Sequence, residues 1–470
     1  MLVAWTVLLL ALALQSPPVG RGATNTWAAY CANCHGAKLE GGQAPTLLDD
    51  VWAYGGDDDS IATSIRDGRP PSAMASFRAA LSEAEIRALV IFIREAGARA
   101  KRRGAPAAAA LPTGPLDSER HRFRLEPVVD SGLETPWALE FLPGGRLIVT
   151  ERPGRVRLID QGRLGPPLAG APAVWVKQDG GMFDVGVHPD YAAKGWIYRA
   201  FSEPGGSAPG ASSTRIVRAR IRGDQLVDEE TLFKAEPARY WVDDTHYGAR
   251  FLFDRQGHVF FSIGDRGHDR DAQDLSSPYG KLHRVNDDGT APADNPFAGR
   301  AGAVKSIWSY GHRNQQGLAW HPLTGVLWST EHGPRGGDEL NIVERGLNYG
   351  WPAITYGMNY DGTPLTDRTA APGMEQPVVQ WTPSIAACAI AFYTGDRFPR
   401  WKNDLFVTAL AGQELRRLVL DGRTVKSQEV LFRNLGRVRD VVNGPDGYLY
   451  VVFNNPDRIV RLVPADTPSR

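Results

Sequence analysis

Short apolar runs, each beside a turn, recur along most of the chain. In LPGGRLIVTERPGRVRLID (142–160) a glycine turn, a β-branched strand, a second turn and another strand follow one another. Five further segments repeat turn and strand: 188–203, 253–265, 321–333, 403–422 and 444–463. Gly or Asp/Pro turns beside β-branched and aromatic runs indicate β-hairpins. Six such units predict a propeller of about six four-stranded blades, with an ordinary large β domain as the alternative.

The N-terminal part follows a helical pattern instead. TWAAYCANCHG (26–36) predicts a helix that runs into two cysteines, and Leu81–Ala96 has apolar residues near helical spacing. Ser82 is the expected N-cap of this second helix, with Glu85 three positions later. Gly97–Glu119 is rich in Ala, Pro and Gly and has no apolar period, which predicts a semi-rigid linker.

The chain begins with the apolar run Val3–Leu14, followed by Pro, Gly and small residues. This run is too short to span a bilayer, which needs about 20 residues. It predicts a secretory signal cut near Ala23 and export to a bacterial periplasm, although its start lacks Lys and Arg. A buried helix is the alternative. The predicted division is a signal peptide (1–23), a helical domain (24–98), a linker (99–120) and a β domain (121–466).

Composition narrows the function classes. The 470 residues include 53 Lys+Arg and 53 Asp+Glu, so the formal net charge is zero. A nucleic-acid binder would normally show a basic excess, so we expect no nucleic-acid partner. The 51 Gly and 34 Pro favour many turns and a β-rich fold.

The segment CANCHG carries Cys31, Cys34 and His35. Cys-x-x-Cys-His is the attachment signature of c-type haem, in which both thiols bind the haem and the histidine binds the iron. Zinc would need more ligands, and residues 24–110 contain no other Cys or His. A redox disulfide is the remaining alternative. Met74 is the candidate second axial ligand, although a lone Met is ordinarily core filler.

Residues 25–98 resemble a class I cytochrome c domain. The resemblance rests on an N-terminal helix, Cys-x-x-Cys-His-Gly, a Met loop, and a C-terminal helix that starts Leu-Ser-x-x-Glu-Ile. It implies a small all-α domain with covalent haem c.

Four polar segments occupy loops or strand starts of the β domain. They are DDTHYGARF (243–251), SYGHRNQQGLAW (309–320), EHGPRGGDELN (331–341) and GRVRDV (436–441). Arginines on one strand face are costly unless they meet anions, and a Gly-rich acidic loop can offer carbonyls to Ca²⁺. Each segment alone could be structural, but together they predict a site for an anionic ligand.

From about Leu125 to Val463 the chain resembles the soluble quinoprotein sugar dehydrogenases. The similarity is carried by these four segments and by WALEFLPGGRLIVTERPGRVRLI, DVGVHPDY, GDRG, NYGWP and WTPSIA. It is closer to the aldose sugar dehydrogenase branch than to the glucose branch. The resemblance implies an all-β six-bladed propeller that uses pyrroloquinoline quinone (PQQ) and Ca²⁺.

The resemblance also implies residue roles. His246 matches the general base, and Arg313 polarises the quinone oxygen together with Ca²⁺. The family residues that hold the PQQ carboxylates and quinone oxygens are matched by Gln178, Arg313, Asn314, Arg437 and Arg439. The ligands of the cofactor's Ca²⁺ in the family are matched by the carbonyls of Gly333 and Pro334. The position of a second, structural Ca²⁺ in the family is matched by Glu339 and Tyr349. The chain departs from the family pattern at Thr245, Ala411 and Ala387–Ala389, and these differences bear on sugar specificity and cofactor affinity. Cys388 is expected to be a buried thiol.

The implied function is oxidation of an aldose sugar at C1 to a lactone by PQQ. The electrons would pass to the haem c of the same chain, then to a soluble cytochrome or the respiratory chain. Two alternatives stay open: another carbonyl substrate such as sorbosone, or a haem electron carrier with a non-catalytic binding propeller.

Overall fold

The computed structural model of the chain describes residues 20–103 and 110–465. Its strands form six separate antiparallel sheets, and its longer helices all precede them. This confirms the predicted six-bladed propeller preceded by a small all-α domain. Within these two ranges, no helix combines the length and apolar character needed to cross a membrane. The predicted signal peptide falls largely on residues 1–19, outside the described residues.

The N-terminal domain contains four helices: α1 (Ala23–Tyr30), α2 (Ala32–His35), α3 (Asp58–Asp67) and α4 (Glu83–Arg102). The predicted capping box is present, because the Ser82 hydroxyl accepts from the Glu85 N–H while the Glu85 carboxylate accepts from the Ser82 N–H. Trp27, Ile86 and Leu89 lie in the core that joins α1, α3 and α4. The helical predictions for this domain are therefore confirmed.

Each blade contains at least four strands, and its first strand lies at the propeller axis. The first blade contains β3 (Pro136–Phe141), β4 (Leu147–Glu151), β5 (Arg155–Asp160) and β6 (Arg163–Pro167). The second contains β7 (Met182–Val187), β8 (Trp196–Pro204), β9 (Ser212–Arg222) and β10 (Gln225–Phe233). The third contains β11 (Phe251–Phe253), β12 (Val259–Ile263), β13 (Lys281–Val285) and β14 (Ile307–Tyr310). A short helix, α5 (Tyr191–Lys194), precedes β8.

The remaining blades follow the same order. They contain β15 (Gln315–Trp320), β16 (Leu327–Glu331), β17 (Asp338–Ile342) and β18 (Val379–Trp381); β19 (Ala387–Phe392), β20 (Leu405–Ala409), β21 (Glu414–Asp421) and β22 (Thr424–Arg433); and β23 (Arg437–Asn443), β24 (Leu449–Asn454) and β25 (Arg458–Pro464) with β1 (Leu116–Asp117) and β2 (Arg122–Val129). The six inner strands contact one another in a ring. Single 3₁₀ turns occur at Pro70–Ser72, Pro237–Arg239, Asp269–Ala272 and Pro399–Trp401.

The last blade combines both ends of the propeller sequence. Strand β2 pairs antiparallel with β25, with Leu125 opposite Leu462. This pairing closes the ring, so the final blade is incomplete without the N-terminal strand. The ring closure holds the inner strand β23 in place next to β3.

The repeated units found in the sequence occupy one position in every blade. Each begins at the turn after the inner strand and includes the second strand. His188 and His321 both follow an inner strand, and both rings accept N–H groups of the next turn through Nδ1. Their recurrence therefore reflects turn structure.

The predicted linker (99–120) is too long at both ends. Helix α4 continues through Arg102, and β1 pairs with β2 inside the predicted linker. Ala, Arg and Lys are strong helix formers, which explains the continuation of α4 beyond its apolar stripe. Residues 104–109 lie outside the described part of the chain.

We predict that Phe123→Ala destabilises the propeller by about 3–5 kcal/mol, because Phe123 is fully buried between the last two blades and packs on Trp401. Urea unfolding followed by tryptophan fluorescence measures this change. Leu323→Ala, at a side chain 75% exposed, is the control and should shift stability by no more than about 0.5 kcal/mol. Equal effects of the two substitutions would contradict a closing role for β2.

Candidate active site

A cavity of 440 Å³ lies where the six inner strands begin. Its lining comes from the start of every blade, so residues far apart in sequence meet at the axis. Seven of the predicted site residues line it: Gln178, His246, Arg313, Asn314, Gly333, Arg437 and Arg439. Pro334, Glu339 and Tyr349 do not.

Four arginines line the cavity: the three predicted ones and Arg152, whose guanidinium donates to the carbonyls of Gln178 and Gly180. Arg313, Arg437 and Arg439 form no ion pair with any carboxylate in residues 20–103 and 110–465. The buried Nε atoms of Arg313 and Arg439 have no hydrogen-bond partner there either. Burial, together with the neighbouring Arg439, lowers the pKa of Arg437. Such unpaired guanidinium groups fit a ligand that brings several carboxylates.

His246 is held by a carboxylate. Its Nδ1 lies 2.6 Å from Oδ1 of Asp265. The same carboxylate accepts from the Gly267 N–H at 2.9 Å and from Nε1 of Trp351 at 2.7 Å. Because the ionised Asp265 can only accept, Nδ1 donates to it and Nε2 is the ring nitrogen left for another partner. A histidine held in this way is typical of a general base.

Asp265 remains ionised although it is buried. Burial opposes its charge, but the neighbouring His246 ring and the Arg313 guanidinium outweigh this and hold its pKa below the usual value. The carboxylate can therefore stabilise a positive charge on His246 after proton uptake.

The backbone around the base is constrained. His246 and Gln178 have φ values of 50° and 45°, in the left-handed region that non-glycine residues rarely adopt. Arg266 anchors the loop of His246: its guanidinium donates to the carbonyls of Asp243 and Thr245 and lies 3.6 Å from the Tyr247 ring centroid. These contacts stabilise the strained loop at the cavity wall.

Asn314 and Gln178 complete the polar wall. The Asn314 side-chain oxygen accepts from the Gly248 N–H at 3.1 Å and from Gln316 Nε2 at 3.2 Å. Its amide nitrogen makes no hydrogen bond to the rest of the described chain. Gln178 is exposed at the cavity mouth, where its carbonyl accepts from Arg152. Both amides are placed to contact a ligand.

The predicted calcium carbonyls lie beside an arginine. Gly333 O accepts from an Arg313 nitrogen at 2.7 Å, and Pro334 O is 3.4 Å from the Gly337 nitrogen. Within the described residues, no cluster of three or more His, Cys, Asp or Glu could hold a metal. A Ca²⁺ ion at these carbonyls would need more oxygen donors, which an anionic cofactor could bring.

Glu339 and Tyr349, predicted for a second Ca²⁺, lie outside the cavity. Burial and the nearby carboxylate of Glu331 raise the pKa of Glu339 to about 8. Such a carboxyl requires a proton or a cation. The Tyr349 hydroxyl already donates to Ile342 O at 2.7 Å and accepts from the Glu344 N–H at 2.8 Å.

Three of the predicted haem ligands, Cys31, Cys34 and His35, follow the C-terminal end of α1. Cys31 and Cys34 are free thiols and form no disulfide with each other. Nδ1 of His35 lies 3.1 Å from Pro45 O, which fixes the ring and leaves Nε2 for a metal. Met74 is half-buried against the domain core. These features fit a haem bound through two thiols and His35.

Among the residues that the sequence interpretation missed are Asp265, which holds His246 without lining the cavity, and His332, which lines it. Asp265 lies in GDRG directly after β12, and the motif alone gave no reason to connect it with His246. His332 lies within EHGP, lines the cavity and has a buried Nε2 without a partner in the described chain. Burial and the charges of Arg439 and Arg313 lower the pKa of His332 to about 3, so the ring is neutral. The sequence signal for His332 was its position directly before Gly333, one of the predicted site residues.

Known proteins share both parts of the chain. Residues 133–461 match the family described as glucose / sorbosone dehydrogenase, and residues 19–93 match the one described as cytochrome c oxidase, cbb3-type, subunit III. The aldose sugar dehydrogenase YliI of Escherichia coli strain K12 is 40% identical over 332 residues, which cover 69% of this chain and 88% of that protein.

Solved structures agree. The apo form of the soluble aldose sugar dehydrogenase from Escherichia coli is 38% identical, with a TM-score of 0.69, and the match covers 73% of this chain and 99% of that one. The PQQ-bound aldose sugar dehydrogenase from Streptomyces coelicolor is 28% identical, with a TM-score of 0.59, covering 75% and 99%. The predicted resemblances and the predicted oxidoreductase class are thereby confirmed: the chain belongs to the glucose / sorbosone dehydrogenase family and carries a cytochrome c domain N-terminal to its propeller.

Proposed function

We propose that this protein is a periplasmic quinohaemoprotein that oxidises aldose sugars at C1 to lactones with PQQ. Electrons then pass to the c-type haem of its own N-terminal domain and on to a soluble cytochrome or the respiratory chain. The observation that carries the proposal is the oriented His246–Asp265 pair in the same cavity as three unpaired arginines.

His246 acts as the general base. Its Nε2 takes the proton of the anomeric hydroxyl, and Asp265 stabilises the imidazolium that forms. Loss of the proton strengthens donation from the sugar oxygen and makes C1 a better hydride donor. The strained loop and Arg266 keep the ring in place for this step.

The arginines hold the cofactor. Arg313, Arg437 and Arg439 would hold the carboxylates and quinone oxygen of PQQ, with Gln178 and Asn314 as further polar contacts. The chemistry that bound PQQ would supply is acceptance of two electrons, as the hydride of C1. Arg313 also donates to the Gly333 carbonyl, so it would lie beside the proposed Ca²⁺ and would polarise the quinone oxygen together with that ion.

Metal ligands complete the proposal. Ca²⁺ would bind the carbonyls of Gly333 and Pro334 together with cofactor oxygens, and a structural Ca²⁺ would bind near Glu339 and Tyr349. His35 and Met74 would bind the haem iron, and Cys31 and Cys34 would hold the haem covalently.

Two alternatives have less support. A carbonyl substrate such as sorbosone would use the same base and cofactor site, so only the sugar contacts would differ. A propeller that merely binds a ligand has no need of a histidine held by a buried carboxylate. The His246–Asp265 pair therefore favours an enzyme.

The test is sugar-dependent haem reduction. Haem-loaded protein, supplied with PQQ and Ca²⁺ under anaerobic conditions, is mixed with a panel of aldoses and with sorbosone. We expect the reduced c-type absorption bands to grow with aldoses. His246→Gln should slow this growth by about 10²–10⁴-fold, the usual contribution of a general base.

His321→Gln is the matched control, because that ring caps a turn and does not line the cavity. It should leave the rate unchanged. A haem that dithionite reduces but no sugar reduces would overturn the proposal, and a response to sorbosone alone would replace the aldose by another carbonyl substrate.

We predict that Asp265→Asn lowers kcat by about 10²-fold or more, approaching the loss for His246→Gln. His246, Gly267 and Trp351 each direct an N–H group at this carboxylate. The asparagine amide has only one acceptor oxygen, so its NH₂ group would face at least one of these donors. Dye-linked kinetics across a range of pH measures the effect, and an unchanged pH profile would count against a positioning role.

We predict that Arg437→Gln and Arg439→Gln each raise the Kd for PQQ at least about tenfold, since each removes a charge that binds carboxylate. Titration calorimetry with PQQ and Ca²⁺ measures this. Arg433→Gln is the control, because Arg433 pairs with Glu414 and lies outside the cavity. Equal affinities for all three variants would show that the anion site lies elsewhere.

A further inference from the structure

The helical domain and the propeller are joined by an ion pair. Arg335 donates to Glu95 of α4 through Nε at 3.2 Å and through its terminal nitrogen at 2.5 Å. Both side chains are largely shielded, with 23% and 16% exposure. A two-point contact of this kind fixes orientation as well as distance.

An apolar contact lies beside this pair. Ala88, Ile91 and Met358 form one buried cluster, with exposures of 0%, 1% and 1%. Gly336 allows the close approach, because a Cβ there would come within 2.8 Å of the Ile91 side chain. In addition, the Arg87 guanidinium donates to Thr366 O at 2.5 Å. Buried apolar surface flanked by charged contacts is typical of a stable interface.

On the propeller side, the interface shares a loop with the cavity. Arg335 follows Gly333 and Pro334 directly, and its backbone pairs with that of Met358 at 2.9 and 3.1 Å. Arg335 also donates to the Tyr360 carbonyl at 3.0 Å, while the Tyr360 ring lines the cavity. Both segments therefore contact the cavity as well as α4.

On the haem side, aromatic rings continue from the interface. Phe92 packs against the Ile91–Met358 cluster. Its ring centroid lies 5.8 Å from that of Trp27, and the Trp27 centroid lies 6.1 Å from that of His35. Side chains in contact therefore lead from the propeller loop to the predicted haem ligand.

We propose that this face of α4, seated on residues 333–337 and 357–363, is the electron-transfer interface of the protein. The haem domain stays docked there during turnover. Two electrons leave the cavity one at a time, and each reduces ferric to ferrous haem iron. The two protons go to solvent, and an external one-electron acceptor reoxidises the haem between transfers. This inference rests on the proposed function.

Four variants test the interface: Glu95→Arg, Arg335→Glu, the double exchange E95R/R335E, and Ile91→Glu, which places a charge in the apolar cluster. Glu83→Arg is the matched control on the same helix, because Glu83 pairs with Arg66 inside the helical domain. Absorption spectra of the haem check that each helical domain is folded.

The first measurement uses haem-loaded protein without PQQ. Small-angle X-ray scattering reports the domain arrangement, and hydrogen exchange reports protection of residues 87–95 and 356–362. We expect Ile91→Glu to enlarge the radius of gyration and speed exchange in both segments at least about tenfold, because a buried charge opposes docking. Glu83→Arg should match the parent protein.

The second measurement is stopped-flow haem reduction by sugar in PQQ-loaded protein. Glu95→Arg and Ile91→Glu should slow it at least about tenfold, and the double exchange should recover most of the loss at position 95. The rate of sugar oxidation with a dye that takes electrons at the propeller should stay unchanged in Glu95→Arg and Ile91→Glu, the two variants of the helical domain.

Reduction of the haem at the parent rate in Ile91→Glu, or equal scattering curves for all variants, would overturn the interface. The two proposals fail in different ways. If the proposed function is wrong, the parent protein shows neither dye-linked nor haem-linked sugar oxidation. If only the interface is wrong, both activities are present and the variants do not separate them.

Discussion

The gathering of three guanidinium groups that form no ion pair within residues 20–103 and 110–465 is the constraint on which the site depends. Arg437 and Arg439 lie on the inner strand of the blade that both ends of the propeller sequence complete, and Arg313 precedes the inner strand of another blade. Like charges withdrawn from water destabilise a fold by several kcal/mol unless an anion joins them. The closed ring, through the pairing of β2 with β25, supplies the packing that holds these strands in place.

The nearby carboxylates are engaged by other partners, which leaves the arginines available. Asp184 and Asp440 pair with Arg250 at 3.2 and 3.1 Å, and Asp265 pairs with His246. Arg439 donates to the Cys388 sulfur and to the Gln316 amide oxygen, each at 3.5 Å, and its guanidinium lies 5.3 Å from the Trp137 ring centroid. Two further carboxylates, Asp179 and Asp338, line the cavity and accept backbone N–H groups, while Asp265 holds the ring of His246.

The sequence was most informative where structure depends on neighbouring positions. CANCHG, the Ser82–Glu85 capping box and the turn-plus-strand units are local patterns, and each predicted its element. Asp265 was missed because the sequence alone does not give the register of β11 with β12, which brings it beside His246, and because Trp351 comes from another blade. The contact of Glu95 with Arg335 joins residues 240 positions apart, and no periodicity or turn signal indicates such a pairing.

A covalent connection alone would raise the effective concentration of the haem domain to about the millimolar range, but it would leave the orientation unspecified. The contacts of Glu95 and Ile91 with the propeller specify one orientation. The segment PRGGDEL is constrained from two sides, because Gly333 just before it faces the cavity while Arg335 and Gly336 meet α4. One loop therefore contacts both the cavity and α4. The docked arrangement fixes the orientation of the two domains as well as their proximity.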